Sequence, residues 1–129
     1  MTDPVPSDQE LLAAADAAAA RAYAPYSNFH MGCVVLARDG RVIEGVNVEN
    51  ASYPLGVCAE RTALSRAIAE GYRPGDFAVA AITAAPCGGC RQWLLELGLD
   101  RVVFRNGGRV VTMTPDELLP ESFDSSDLQ

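Results

Sequence analysis

Two cysteine-bearing segments, 58–61 (CAER) and 86–90 (PCGGC), constrain this chain more than any other part of its sequence. Each stands where a loop-like sequence gives way to a helical one. The first turn of a helix has unpaired N–H groups and the positive end of the helix dipole, and both lower the pKa of a cysteine thiol. Because metal ions bind thiolates rather than thiols, we predict a fold in which two helix starts are adjacent and share a metal ion.

The two segments supply three candidate zinc ligands, Cys58, Cys87 and Cys90. Three thiolates would leave the fourth tetrahedral position of zinc open for water, which is typical of a catalytic rather than a structural site. Glu60 follows Cys58 by two residues and would lie beside the metal without being an obvious fourth ligand. Its carboxylate could take a proton from the bound water and deliver it elsewhere. The pattern therefore favours one catalytic zinc ion per chain.

Two other interpretations of the cysteines stay open at this point. Cys87 and Cys90 alone could form a thioredoxin-like redox pair, although Glu60 has no part in such a site. A purely structural zinc site would need a fourth protein ligand. His30 and Cys33 are the remaining candidates for that position.

Turn residues and hydrophobic patterning predict an α/β fold. Ser7 and Glu10 form a capping box at the start of an alanine-rich helix, and 39–40 (DG) is a hairpin turn signal. The third strand is apolar nearly throughout, so we expect it at the centre of the sheet. A five-stranded mixed sheet covered by helices accommodates this order of elements. The predicted helices are 7–21, 58–70, 86–97 and one from 114, and the predicted strands are 31–38, 41–48, 77–84, 101–105 and 109–113.

The length of 129 residues fits one domain, with the terminal segments 1–6 and 124–129 expected to be loose. Seventeen acidic and ten basic residues give a net charge of −7. Such a chain is a poor candidate for binding a nucleic acid polymer or an anionic membrane, so we expect a small-molecule substrate. We see no signal peptide and no membrane-spanning stretch. The expected location is therefore the cytoplasm, where thiols stay reduced.

Matching motifs from Tyr23 to Phe123 make the chain similar to the homotetrameric zinc-dependent cytidine deaminases. The nucleobase deaminase pattern is a His or Cys, then x-Glu, followed later by Pro-Cys-x-x-Cys, and this chain carries its all-cysteine form. The matching stretches are 26–29 (YSNF), 47–53 (NVENASY), 58–63 (CAERTA), 86–92 (PCGGCRQ) and 118–120 (LLP). The resemblance implies a three-layer α-β-α fold and a homotetramer whose active sites are completed across subunits.

The resemblance also implies the reaction, which is hydrolytic deamination of cytidine and deoxycytidine to uridine and deoxyuridine plus ammonia. Zinc-bound hydroxide would attack C4 while Glu60 carries protons to N3 and to the departing amino group. Arg61 would hydrogen-bond the zinc thiolates. Three thiolates leave a zinc complex with an excess negative charge, and withdrawing part of it makes the bound water more acidic.

The resemblance implies substrate contacts for seven residues between Tyr23 and Phe123. Asn47 and Glu49 would hold the ribose hydroxyls, and Phe29 would pack on the pyrimidine. Tyr53 and Phe123 would approach the active site of a neighbouring subunit. The complete implied set is Phe29, Asn47, Glu49, Ala51, Tyr53, Ala59 (through its backbone) and Phe123.

Three differences from the family pattern concern the substrate pocket rather than the zinc chemistry. The connection 82–85 before Pro86 is short, Ala85 stands where serine is common, and His30 and Met31 replace a common Pro-Val pair. A deaminase of a modified cytosine nucleoside or antibiotic is therefore an alternative. A zinc-stabilised binding module without turnover is a further one.

Overall fold

Five strands and four α-helices follow one another in the predicted order in a computed structural model that describes residues 5–129. Residues 1–4 of the N-terminal segment that we expect to be loose lie outside the described residues. Within 124–129, Asp124 caps a single 3-10 turn, Ser125–Leu128, and the looseness of this segment stays a prediction. The elements are α1 (Asp8–Ala19), β1 (Gly32–Ala37), β2 (Val42–Val46), a 3-10 turn (Tyr53–Leu55), α2 (Ala59–Ala69), β3 (Phe77–Ile82), α3 (Gly88–Leu97), β4 (Arg101–Asn106), β5 (Arg109–Met113) and α4 (Pro115–Leu118).

The strands form one mixed sheet in the order β2-β1-β3-β4-β5, which confirms the central position of β3. β1 is antiparallel to both of its neighbours, whereas β3 and β4 are parallel and are joined through α3. β2 and β3 therefore run in the same direction, and their carboxyl ends lie at the same edge of the sheet. The chain enters β1 at this edge too. The segments 26–31, 47–58 and 83–87 consequently meet there.

The helices cover both faces of the sheet, which confirms the three-layer α-β-α architecture. On one face, α1 packs Leu11, Leu12 and Ala15 against buried side chains of β1, β3 and β4. The other face carries the larger core, which α2, α3 and α4 cover. None of the helices within residues 5–129 has the combination of length and apolarity needed to cross a membrane.

Helix α2 lies in direct backbone contact with β2 because the strand has a glycine at the crossing point. A Cβ atom on Gly45 would lie 2.3 Å from the Ala63 nitrogen and 2.5 Å from the Ala59 oxygen. Close-packed interiors do not tolerate such overlaps. The absent side chain thus fixes how near the first turn of α2 approaches the sheet.

Candidate active site

The predicted zinc ligands occupy the starts of two helices, but α2 begins one residue later and α3 two residues later than the sequence suggests. Cys58 and Cys87 are the N-caps of α2 and α3, with extended backbone angles, and the helices begin at Ala59 and Gly88. Cys90 lies one turn into α3 and is fully buried. N-cap residues usually present a side-chain oxygen to the free N–H groups of the first turn. Here the N-cap side chains are thiols, which face the positive end of each helix.

The fold brings the three sulfur atoms together. They all lie within 4.8 Å of one another, and the sulfurs of Cys58 and Cys87 are 3.9 Å apart. Tetrahedral zinc with Zn–S bonds of about 2.3 Å would separate two ligand sulfurs by about 3.8 Å. The spacing of this cysteine cluster therefore fits one zinc ion.

Within residues 5–129, the metal-ligand group comprises these three cysteines and no fourth residue. Cys33 is buried in β1, where its thiol faces the Val34 carbonyl at 3.9 Å. His30 is exposed, and its Nε2 lies 3.3 Å from the Asn28 side-chain oxygen. Neither candidate for a fourth ligand joins the cluster, which leaves one tetrahedral position of a bound ion for a small ligand.

Burial makes negative charge costly at this place. Burial raises the pKa of Cys58 and of Cys90, and the Glu60 carboxylate raises that of Cys90 further. Burial alone would also raise the pKa of Cys87, but hydrogen bonds from the Cys90 amide and from neighbouring side chains outweigh it and lower that pKa. Three thiolates in such a site need a concentrated positive charge, which a divalent cation supplies.

Glu60 lies in the first turn of α2 with only 1% of its surface exposed. Burial raises its pKa, opposed by hydrogen bonds from its own backbone amide and from Cys90. Its Oε1 is buried and has no hydrogen-bond partner among the described residues. A buried carboxylate oxygen without a partner costs free energy unless a ligand satisfies it. Glu60 is therefore not the solvated helix carboxylate that such a residue usually is.

Arg61 lies against the cysteine cluster. Hydrogen bonding to the Cys90 sulfur raises the pKa of its guanidinium group, and the nearby Cys58 and Cys87 act in the same direction. One guanidinium nitrogen would be 3.3 Å from a Cβ placed on Gly89. The glycine thus leaves room for the guanidinium beside the second cysteine segment.

Asn47 is a buried connector between two loops. Its exposure is 8%, its Oδ1 accepts from the Met31 amide at 2.8 Å, and its Nδ2 donates to the Phe29 carbonyl at 2.8 Å. One amide hydrogen and one lone pair stay available for a ligand. Asn47 therefore holds the entry to β1 in addition to the ribose-binding role that the resemblance implies.

Glu49 lines a cavity of about 340 Å³ at the same edge of the sheet. Its carboxylate accepts hydrogen bonds from the amides of Tyr26 and Ser27, at 3.0 Å each, and from the Ser27 hydroxyl. The hydroxyl, followed by the amides, lowers the pKa of Glu49. The cavity is lined by Tyr26, Ser27, Glu49, Asn50, Tyr53 and Gly56.

The loop that carries Asn47 and Glu49 is tied to the cysteine cluster. Val48, between them, pairs with Val57, the residue before Cys58, through two backbone hydrogen bonds of 2.8 and 2.9 Å. Val48 also forms a parallel β-bridge with Tyr23. The predicted sugar contacts and the first predicted zinc ligand therefore belong to one anchored loop.

The aromatic residues with predicted substrate roles are the open part of the site. Phe29 is 57% exposed and Tyr53 is 75% exposed, and the Tyr53 ring contacts Tyr26 edge to face, with centroids 6.0 Å apart. Ala51 is exposed on the same loop, whereas Ala59 is buried. Within one chain, more than half of the surface of both Phe29 and Tyr53 is therefore accessible to solvent.

Phe123 does not line the cavity beside Glu49. Its ring is 59% exposed, and its carbonyl accepts a hydrogen bond from the Gln92 side chain at 2.8 Å. Arg91, the preceding residue, donates to the carbonyls of Pro86 and Leu118, at 3.0 Å each. This connection of α3 to the C-terminal segment is a feature that sequence reasoning missed.

The short connection after β3 is accommodated at the start of β1. The strand ends at Ile82, two residues earlier than predicted. Thr83 then accepts from the Gly32 amide through its hydroxyl and donates its own amide to the Gly32 carbonyl, both at 3.1 Å. Ala85 packs against the larger core. The chain thus reaches Pro86 without a longer loop.

A family model described as the cytidine and deoxycytidylate deaminase zinc-binding region matches residues 5–106. A cytidine deaminase of Halalkalibacterium halodurans is 45% identical in an alignment of 116 positions that covers 83% of this chain and 86% of that protein. A cytidine deaminase of Sporosarcina psychrophila is 38% identical in an alignment of 129 positions that covers 93% of each chain.

Solved structures give the same result. The crystal structure of a cytidine deaminase from Burkholderia pseudomallei superposes with a TM-score of 0.86 at 48% identity, covering 92% of this chain and all of that one. A cytidine deaminase structure from Mycobacterium tuberculosis has a TM-score of 0.76 at 37% identity, covering 89% of this chain and 95% of that one.

Proposed function

The chain belongs to the family of cytidine and deoxycytidylate deaminases, and from this membership we propose that it hydrolyses cytidine and deoxycytidine to uridine and deoxyuridine plus ammonia. The observation that carries the proposal is the cysteine cluster at two helix starts, with the buried Glu60 carboxylate beside it. The enzyme is a zinc-dependent hydrolase with one zinc ion per chain.

We propose Cys58, Cys87 and Cys90 as the zinc ligands. The sulfur spacing and the cost of burying three thiolates together support this assignment. Zinc, when bound, supplies the Lewis acidity that lets water act as a nucleophile near neutral pH. Arg61 is proposed to hold the thiolates and to withdraw charge from them.

Glu60 is proposed as the proton carrier. In the overall reaction the oxygen of water becomes bonded to C4 of the pyrimidine, the bond from C4 to the amino nitrogen breaks, and ammonia leaves. Glu60 takes a proton from the water and delivers protons to N3 and to the leaving amino group. Its buried Oε1, which has no partner among residues 5–129, supports this role because it is available to the reacting groups.

The nucleoside is proposed to bind between the loop 47–57 and the entry to β1. Glu49 offers an ionised carboxylate to the ribose hydroxyls from the wall of the cavity, and Asn47 offers its remaining amide hydrogen. Phe29 packs on the pyrimidine, and the backbone of Ala59 contacts the base. This arrangement has room for both the base and the sugar only if the short connection 82–85 does not block the pocket.

We propose a homotetramer in which neighbouring chains complete each active site. The exposure of Phe29, Tyr53 and Phe123 supports this assembly, because exposed aromatic side chains beside a site are typical of an interface. Tyr53 and Phe123 would approach the neighbour's nucleoside, and Ala51 is a further proposed substrate contact. Mixing Glu60→Gln chains with Tyr53→Ala chains should then restore activity, since some sites in the mixed oligomer contain both native residues. A monomer in light scattering, or no restored activity, would contradict the assembly.

A cytoplasmic location is proposed as well. The four cysteines are all free thiols in the structure, and three of them form the zinc cluster. Free thiols persist in reducing compartments. Fractionation of cells that express the tagged protein would test this location, and recovery in an extracellular fraction would contradict it.

The activity is tested by adding cytidine or deoxycytidine to the zinc-loaded protein and following the loss of absorbance. Zinc should be found at one ion per chain in the same preparation. No change with either nucleoside would contradict the proposal. Turnover of a modified cytosine nucleoside alone would then support the narrower alternative, and zinc without any turnover would indicate a binding module.

A further inference from the structure

The Ser27 hydroxyl connects two residues that the proposed function assigns to different parts of the nucleoside. It donates a hydrogen bond to Oε2 of Glu49. It also accepts one from the Phe29 amide at 3.0 Å. Glu49 is proposed to hold the ribose and Phe29 the base, so one hydroxyl group links the two contacts.

The carboxylate of Glu49 is almost fully occupied by this loop. Oε1 accepts from the amides of Tyr26 and Ser27, at 3.0 Å each, and Oε2 accepts from the Ser27 hydroxyl. An ionised carboxylate has about four lone-pair sites, so a single site on Oε2 is left for a sugar hydroxyl. Glu49 and Ser27 both line the cavity, and the hydroxyl therefore determines how the free lone pair is oriented in it.

The backbone between Ser27 and Phe29 is held by hydrogen bonds on both sides of Asn28. Asn28 has a φ of 58°, in the left-handed region, which asparagine adopts more readily than most other non-glycine residues. Its amide bonds the Ala24 carbonyl at 3.0 Å, and Asn47 holds the Phe29 carbonyl on the far side. On the near side, the Phe29 amide is held by the Ser27 hydroxyl.

We propose that Ser27 is a positioning residue for substrate recognition. Its hydroxyl fixes the Glu49 oxygen that faces the sugar and ties that oxygen to the position of Phe29. The enzyme then recognises ribose and base as one unit, with a set distance between them. This inference rests on the proposed function, and it assigns to Ser27 no contact with the reacting atoms.

Steady-state kinetics of Ser27→Ala would test the inference, with the exposed helix serine variant Ser65→Ala as the matched control. Loss of a hydrogen bond to a charged group should raise the KM for cytidine about tenfold, while kcat falls much less. With 2′,3′-dideoxycytidine, which lacks the 2′ and 3′ hydroxyls of the sugar, Ser27→Ala should change KM little relative to the wild type. Ser65→Ala should match the wild type with both nucleosides.

A second pair of variants separates the hydroxyl from the packing and from folding. Threonine and valine have nearly the same shape, so Ser27→Thr should keep the KM for cytidine and Ser27→Val should raise it. In a Glu49→Gln background, Ser27→Ala should add little to the KM. Equal effects on cytidine and dideoxycytidine, or an unchanged KM in both Ser27→Ala and Ser27→Val, would overturn the inference. A wild-type enzyme that does not turn over cytidine would instead overturn the proposed function.

Discussion

Replacing Gly45 with alanine should damage the active site, although Gly45 is not among the residues proposed to bind zinc, to carry protons or to contact the nucleoside. The added Cβ would lie 2.3 Å from the Ala63 nitrogen and 2.5 Å from the Ala59 oxygen. Both are backbone atoms of α2, so no side-chain rotation can relieve the overlap. The helix that carries Glu60 must therefore move away from β2, together with its N-cap Cys58.

The size of the effect follows from the contact distance. Ordinary contact with a Cβ begins at 3.4 Å, so the helix has to retreat by 1.1 Å from its present 2.3 Å. Overpacking of this kind costs about 1–3 kcal/mol, and two backbone neighbours place Gly45→Ala near the upper end. For a chain of this size that corresponds to a fall in Tm of about 10 °C. A displacement of about 1 Å at a catalytic group can lower the rate about a hundredfold.

Thermal unfolding and cytidine kinetics of the zinc-loaded Gly45→Ala variant would measure both effects. Gly108→Ala is the matched control, because a Cβ at that position in the turn between β4 and β5 meets nothing within 4 Å. The control should keep the wild-type Tm and kcat/KM. If Gly45→Ala also kept both, the contact between β2 and α2 would not determine the position of Glu60, and the reasoning would be refuted.

Three further predictions concern the proposed zinc site. Glu60→Gln should keep one zinc ion per chain and lower kcat at least about a hundredfold, as removal of a general acid–base group does; an active variant would exclude the proton role. Arg61→Ala should keep zinc and slow turnover about tenfold or more, as loss of a group that supports metal ligands does, and wild-type kinetics would exclude that role. Removing zinc with a chelator should lower Tm, and an alkylating reagent should then label the exposed Cys87 before the buried Cys90; equal labelling rates, measured by mass spectrometry, would contradict the described burial.

The elements that could be predicted from the sequence are those specified by local contacts. The capping box of Ser7 and Glu10 forms as predicted, and Gly98 ends α3 with a left-handed backbone conformation. The ends of β2 and β3 could not be predicted, because distant residues decide them. β2 stops at Val46, two residues early, since Val48 pairs with Tyr23 and Val57 instead of continuing along β1.

The same distinction applies to the candidate site. Spacing alone predicts the cysteine cluster and Glu60, because each group lies within one turn of a helix start. It does not predict the second task of Asn47, which holds Phe29 and Met31 across separations of 18 and 16 residues. Ser27 has a weak local signal, since a serine two residues before Phe29 is typical of a turn in which the hydroxyl bonds the backbone. The hydrogen bond from the Ser27 hydroxyl to Glu49 could not be predicted, because it forms only where the fold brings the two residues together.

The proposed proton carrier and one proposed zinc ligand are buried within one chain, whereas the residues that would enclose the nucleoside are exposed until subunits assemble. Glu60 and Cys90 are closed off within a single chain, so the groups proposed for metal binding and proton transfer are positioned before any partner arrives. Phe29 and Tyr53, which would enclose the nucleoside, are open in the same chain. Exposure of these aromatic residues should weaken substrate binding more than it affects the buried catalytic groups, because binding depends on the apolar area that is removed from water. Variants that weaken the proposed subunit contacts should therefore raise KM before they lower kcat, whereas variants at α2 should lower kcat first.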